Sequence, residues 1–380
     1  MGEARKSGMH VFKEGRIGNV GIRNRFVRSA TGERLATADG LVGPAAAEVI
    51  RDLARGGVGL IIPGHAFVDI ASRSDVMQTG AHDDSTIPGL AALAQTAHEH
   101  GAAIFLQLTF AGAKVDPGCA LPPFKSSCSY VTADGTEARE MTQEEIREMV
   151  GKFAAAAVRA KTAGFDGVQV QTGHGYGVSQ FVSPFLNRRT DEYGGPLENR
   201  ARFAVETIRA IRVRTGNDYP IIVKMNCDDF IDGGTTPEEA VRLAEMMAAE
   251  GLDGIEISGG IGHPKARLGG ARNIDPKDES EEAYHREAAR LFRSRLRIPL
   301  ILVGGIRRLG TAEHLVSGDE TDFISMCRPF LREPDLVARW ASGDEARAAC
   351  LSCNACFGIA KDGKGARCAL ETIRRSGGKR

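Results

Sequence analysis

IIVKMNCDDFIDGGTTPEEA, residues 221–240, contains one strand and the start of one helix. Ile221–Met225 is an apolar run interrupted only by Lys224. At Pro237-Glu238-Glu239 a helix opens, with proline in the first turn and acids at the positive end of the helix dipole. A short run that is apolar on consecutive positions reads as a strand buried on both faces, as parallel sheets require. Seven more such runs follow the same logic: Phe26–Ala30, Val58–Ile62, Ala103–Leu108, Gly167–Val170, Gly254–Ile257, Pro299–Val303 and Asp322–Met326. Thr142 and Glu145 form a capping box ahead of an alanine-rich helix through Ala163. Eight strand-then-helix units predict an α/β fold, a (β/α)8 TIM barrel with a C-terminal cysteine-rich extension. A doubly wound sheet would carry a GxGxxG loop after its first strand, and none follows Phe26–Ala30. The barrel is expected over residues 1–340 and the cysteine segment over 341–380.

Composition narrows the function. The chain has 380 residues, 42% hydrophobic, enough for one large core. Lys plus Arg and Asp plus Glu both number 49, so no net charge draws it toward nucleic acid or anionic lipid. The N-terminus, MGEARKSGMHVF, lacks the apolar core of a signal peptide, and no later run is long enough to span a bilayer. A cytoplasmic protein with no nucleic-acid or membrane partner is expected.

Barrel enzymes place their chemistry at the C-terminal ends of the strands. After strand one come Ser29, Ala30 and Thr31, small enough for a flat ring to approach. Gln107 ends strand three inside an apolar run, and a buried amide needs partners. Lys224 points inward from strand five and needs an anion, an electron-rich ring or an ion pair with a neighbouring Asp. Strands seven and eight end in Gly304-Gly305 and Cys327-Arg328, where this fold commonly binds phosphate. After strand four stand Gln171, His174 and Tyr176, able to converge on one substrate oxygen and one proton position.

The segment Gly167–Phe203, GVQVQTGHGYGVSQFVSPFLNRRTDEYGGPLENRARF, resembles the old yellow enzyme family of FMN-dependent NADH:flavin oxidoreductases. NRFVRSAT, GVGLII, the MTQEEI helix start, VGGIR and CRPFLREPDL extend the likeness over the whole barrel. The resemblance implies FMN at the barrel mouth, with Ser29, Ala30, Thr31 and Gly64 near the ring and Gln107 on its pyrimidine edge. It implies Lys224 in place of the usual Arg, and Gly304, Gly305, Cys327 and Arg328 around the phosphate. Gln171 and His174 would hold a substrate carbonyl, and Tyr176 would protonate the carbon opposite hydride delivery. Electrons would come from NAD(P)H and reduce a small unsaturated molecule. The sequence departs from the family at Gln171, commonly His, and at Gly32, commonly Thr or Cys. QLTFAGAK likewise carries Phe110 for His and Ala113 for Arg. Members often form homo-oligomers, which no feature of this sequence decides.

Cys350-x2-Cys353-x2-Cys356-x11-Cys368 is the second strong signal. Three close cysteines and a distant fourth suit a [4Fe-4S] cubane, and four thiolates suit zinc equally. The spacing resembles the iron–sulfur loop of trimethylamine dehydrogenase and 2,4-dienoyl-CoA reductase. In those proteins two nucleotide-binding domains follow the loop, and this sequence has twelve residues after Cys368. A separate redox partner is therefore expected. The alternative to reduction of an alkene is an amine or alcohol dehydrogenase that passes electrons through the cluster.

Overall fold

The computed structural model describes residues 8–375, apart from 117–118, 120–122, 133–134, 270 and 361–362. Eight strands form the barrel: β1 Phe26–Arg28, β2 Leu60–Ile61, β3 Ala103–Thr109, β4 Gly167–Thr172, β5 Ile221–Asn226, β6 Gly254–Ser258, β7 Leu300–Val303 and β8 Phe323–Met326. Each pairs in parallel with the next, and β8 pairs with β1 to close the ring. Between and after them run helices α1 Pro44–Arg55, α2 Ile87–Glu99, α3 Gln143–Thr162, α4 Leu197–Thr215, α5 Pro237–Ala249, α6 Arg286–Arg295, α7 Leu309–Ser317 and α8 Leu336–Ser342. The fold is the expected (β/α)8 barrel.

Local signals act where the sequence places them. Thr142 Oγ1 accepts from the Glu145 N–H at 3.2 Å, and Glu145 Oε2 accepts from the Thr142 N–H at 3.0 Å. Strand lengths follow neighbours instead. The run Val58–Ile62 yields only Leu60–Ile61, because β1 pairs with it through Val27 and Arg28 alone. β4 and β5 continue one to two residues beyond their apolar runs, which brings Gln171 and Asn226 inside the sheet.

Alternate strand residues belong to different cores. Val168, Val170, Ile221 and Val223 pack outward against the helices. Val27, Phe105, Ile222, Ile301 and Phe323 meet inside the barrel. An antiparallel hairpin, Gly15–Ile17 with Val20–Ile22, plugs this inner cluster through Ile17 and Ile22. Apolar packing thus seals the N-terminal end and leaves polar inward residues toward the other. A small sheet of Phe124–Ser126, Tyr130–Val131 and Glu137–Glu140 stands in the connection from β3 to α3.

After α8, whose Trp340 is buried against Phe26 at 5.7 Å between ring centroids, the chain returns to the mouth. The Ala348 N–H donates to the Arg307 carbonyl and the Ala366 N–H to the Glu33 carbonyl, both at 2.8 Å. The cysteine segment is therefore hydrogen-bonded to the loops that follow β7 and β1. No helix among the described residues is long and apolar enough to cross a membrane.

Candidate active site

Across the middle of the barrel runs a polar layer centred on Glu256 of β6. Its Oε1 accepts from Ser29 Oγ at 2.6 Å, Ser325 Oγ at 2.8 Å and Lys224 Nζ at 3.1 Å. Its Oε2 accepts from Gln169 Nε2 at 2.9 Å, and Gln169 Oε1 accepts from Gln107 Nε2 at 2.7 Å. Burial alone would push this carboxyl up, but Lys224 and the hydrogen bonds from Ser29, Gln169 and Ser325 hold it below its ordinary value. The ion-pair partner of Lys224 is thus Glu256, one strand over, rather than an Asp. Lys224 and Glu256 are direct partners in the β5–β6 register.

Above this layer opens a cavity of about 430 Å³. It is lined by Ser29, Ala30, Thr31, Gln107, Gln171, His174, Tyr176, Lys224, Gly304, Gly305, Cys327 and Arg328. Gly64 lies instead on a larger cavity beside it, its N–H donated to Glu33 Oε2 at 2.5 Å. Gly304 and Gly305 adopt φ of 143° and 75°, and a Cβ on either would stand 3.0 or 2.9 Å from the Tyr284 ring. Only glycine suits that turn. Two cations close the same end. Arg307, 2% exposed, donates to Ser352 Oγ at 2.7 Å and to the Cys350 carbonyl at 3.2 Å. Arg328 donates to Asn354 Oδ1 at 2.6 Å and the Arg272 carbonyl at 2.8 Å. Among the described residues neither has a carboxylate partner, so this end of the cavity calls for an anion. The volume, the polar floor and an anion-seeking end beside a glycine turn fit FMN, a flat heterocycle carrying a phosphate.

The larger cavity, of about 970 Å³, shares Thr31, Gly32, His65, Lys114, Tyr176, Gly262 and Phe357 with the first. The sequence-predicted triplet lines the smaller cavity, and Tyr176 also lines the larger one. Gln171 Nε2 lies 3.2 Å from His174 Nδ1, and His174 Nε2 lies 2.7 Å from Ser258 Oγ. Gln171 is 3% exposed and its Oε1 has no partner. Half a turn of the amide lets Oε1 accept from His174 Nδ1–H. Burial, then Lys224 and Lys114, hold the His174 imidazole neutral, well below its ordinary value. Tyr176 Oη lies 3.3 Å from His65 Nε2, and His65 Nδ1 lies 2.5 Å from Gln78 Nε2. Burial pushes the Tyr176 phenol up to about 12 and His65 down to about 4. Tyr176 therefore keeps its proton and can donate it toward a neutral imidazole. Lys114 Nζ donates to the His174 carbonyl at 2.6 Å and stands 4.6 Å from the Tyr176 ring centroid.

His65, Gln78, Lys114, Ser258 and Glu256 are site residues that the sequence reading missed. His65 follows Gly64 just past strand two, so the strand-end rule that found Gln171 was available for it. Lys114 ends the QLTFAGAK stretch, which gives no sign of its contact with His174.

Cys350, Cys353, Cys356 and Cys368 line one small cavity of about 20 Å³, with Arg328 beside them. Ser352 and Asn354 take φ of 56° and 59°, which curls the chain around Cys353. Among the described residues no three His, Cys, Asp or Glu are drawn around a single metal position. Cys356 also faces the larger cavity, and burial, then Cys327, pushes its thiol up to about 11.

The chain is 37% identical over 358 residues to an NADH oxidase of Thermoanaerobacter brockii, covering 92% of this chain and 54% of that one. It superposes on a 2-naphthoyl-CoA reductase complex with a TM-score of 0.83 at 27% identity, covering 89% of this chain and 53% of that one. On histamine dehydrogenase from Rhizobium sp. 4-9 the TM-score is 0.77 at 26% identity, covering 89% and 48%. The chain spans about half the length of these relatives. Residues 10–346 match the model of the NADH:flavin oxidoreductase / NADH oxidase family, and the chain belongs to that family.

Proposed function

We propose that this chain is an FMN-dependent NAD(P)H oxidoreductase that reduces an activated C=C bond. The observation that carries the reading is that Gln171, His174 and Tyr176 line the same cavity as the strand-end residues of the barrel. Ser29, Ala30, Thr31, Gln107 and Lys224 would hold the FMN ring, and Gly304, Gly305, Cys327 and Arg328 its phosphate. When bound, FMN supplies two-electron transfer between NAD(P)H and an electron-poor alkene. Gln171, turned by His174 and Ser258, would donate its amide hydrogens to the substrate carbonyl and stabilise the charge that grows there. Tyr176 would give its proton to the α-carbon: the O–H bond breaks, a C–H bond forms, and the phenolate recovers a proton from water. A phenol near 12 is a strong enough acid for an enolate carbon, because carbon acids of this kind are far weaker. FMN-loaded protein with NAD(P)H and a panel of enones and dienoyl thioesters tests the reading. Saturated product is expected, and failure on every member rejects it.

For the cysteines we infer a [4Fe-4S] cluster on Cys350, Cys353, Cys356 and Cys368, exchanging single electrons with a separate partner. Zinc would draw four thiolates within about 2.3 Å of one ion, whereas a cubane gives each thiolate its own iron. Three close cysteines and a distant fourth around one cavity favour the second arrangement. Iron and sulfide analysis of anaerobically purified protein decides between them. Those cysteines, with the likeness to histamine dehydrogenase, also favour a second reading, an amine dehydrogenase. Rapid bleaching of the flavin by NAD(P)H in stopped flow would count against it.

A further inference from the structure

We propose that Gln78 holds His65 in the tautomer whose Nε2–H donates to the Tyr176 oxygen. His65 is then a positioning residue: it leaves the phenol proton free for substrate and stabilises the phenolate that forms. The catalytic consequence rests on the reductase reading above, whereas the tautomer rests on hydrogen-bond geometry.

His65 stands in the loop after β2 and lines both cavities, as Tyr176 does. Their ring centroids are 5.2 Å apart, and Tyr176 Oη lies 3.3 Å from His65 Nε2. A neutral imidazole can meet a phenol in two ways. It takes the phenol's hydrogen on its bare nitrogen, or it gives its own N–H to the phenol oxygen. The groups behind His65 decide between the two.

Gln78 is 5% exposed, and its amide is fixed at both ends. Oε1 accepts from the Ser74 N–H at 2.7 Å and from Ser74 Oγ at 3.1 Å. Nε2 donates to the His65 carbonyl at 3.0 Å. Turning the amide over would set its NH2 against a backbone N–H and its oxygen against a carbonyl, leaving both ends unpaired. The second Nε2 hydrogen therefore meets His65 Nδ1, 2.5 Å away, and Nδ1 must be the bare, accepting nitrogen. The His65 carbonyl, which would otherwise favour a proton on its own ring, is engaged by the same amide. The one proton of the neutral ring is left on Nε2, facing Tyr176.

The Tyr176 oxygen thus receives a hydrogen bond, and its own hydrogen is not spent on His65. When Tyr176 protonates the α-carbon, its O–H bond breaks, a C–H bond forms and the electron pair of the O–H bond stays on the phenol oxygen. His65 keeps its Nε2–H, and the hydrogen bond strengthens on that anion. The surrounding charges leave both groups in the required state at neutral pH. Burial, then Lys114 and Arg34, lower His65 to about 4, so the ring is neutral. Burial, then Asp116 and Asp75, push the Tyr176 phenol up to about 12 against Arg34 and the Ser74 hydroxyl, so it starts protonated. The Lys114 ammonium lies 4.6 Å from the Tyr176 ring centroid.

The test reads the tautomer and the rate separately. In FMN-loaded protein carrying nitrogen-labelled histidine, NMR correlations between ring protons and ring nitrogens show which nitrogen is protonated, and His65 is the signal lost in His65→Leu. Wild type is expected to carry the proton on Nε2, and Gln78→Leu to admit the Nδ1–H form. With NAD(P)H and an enone, His65→Leu should lower kcat about tenfold at unchanged KM and enlarge the solvent deuterium isotope effect, because proton transfer from Tyr176 slows. His65→Gln can accept from Gln78 on its amide oxygen and donate its own N–H to Tyr176, so it should recover most of the loss. A wild-type proton on Nδ1, an unshifted tautomer in Gln78→Leu, or an unchanged kcat and isotope effect in flavin-loaded His65→Leu overturns the proposal. An Nε2–H tautomer in a protein that turns over no enone or dienoyl thioester keeps the hydrogen-bond assignment and overturns the reductase reading instead.

Discussion

The middle layer of the barrel and its mouth are built from similar polar residues, yet one is saturated and the other is not. In the layer, both oxygens of Glu256 are filled by Ser29, Lys224, Ser325 and Gln169. At the mouth, Gln171 Oε1 has no partner and Arg307 and Arg328 lack carboxylates among the described residues. Unpaired buried polar groups cost stability. Where such groups persist beside a cavity, the economical explanation is a ligand that completes them. The saturated layer positions the floor, and the unsaturated mouth is the binding site.

Substitutions in the two regions should therefore behave differently. The largest effect is expected at Glu256→Ala, which leaves the Lys224 ammonium buried and unpaired. About 4 kcal/mol of lost stability is expected in urea denaturation. Because the folded carboxyl is held below its unfolded value of 4.5, its contribution is present above that pH and is lost as pH falls through the lower folded value. Tyr176→Phe should leave the fold intact and lower turnover of an enone by about 100-fold in steady-state assays. The smallest effect is expected at Gln171→Leu. It removes one hydrogen bond to the His174 ring, so stability should fall by about 1 kcal/mol while kcat/KM falls by about tenfold. A stability loss at Gln171 as large as that at Glu256 would erase the distinction between the regions.

The same contrast governs what the sequence made legible. The barrel was readable because each strand is apolar on consecutive positions and each helix start carries its own chemistry, as at Thr142 and Pro237. Strand ends were less readable, since the length of Leu60–Ile61 depends on what β1 offers it. Inward polar residues announced themselves, because Gln107, Gln171 and Lys224 interrupt apolar runs. Their partners did not: the inward Lys224 calls for an anion, a ring or a neighbouring Asp, and it meets Glu256, which lies in a run that also reads as plain strand. Gly64 was expected by the ring and faces the larger cavity, where its N–H donates to Glu33. His65 and Lys114 come from loops, whose course no periodicity encodes. The extension expected after residue 340 is bonded to the barrel mouth, a tertiary contact that cysteine spacing does not reveal.

Calorimetric comparison of FMN with riboflavin, using flavin-free protein, probes the unsaturated mouth most directly. The two ligands share the ring that would rest on the saturated layer and differ only in the phosphate that would meet Gly304, Gly305, Arg307 and Arg328. FMN should bind at least about 100-fold more tightly than riboflavin, as hydrogen bonds between charged groups imply. Equal affinity for the two, or no binding of either, would contradict the account.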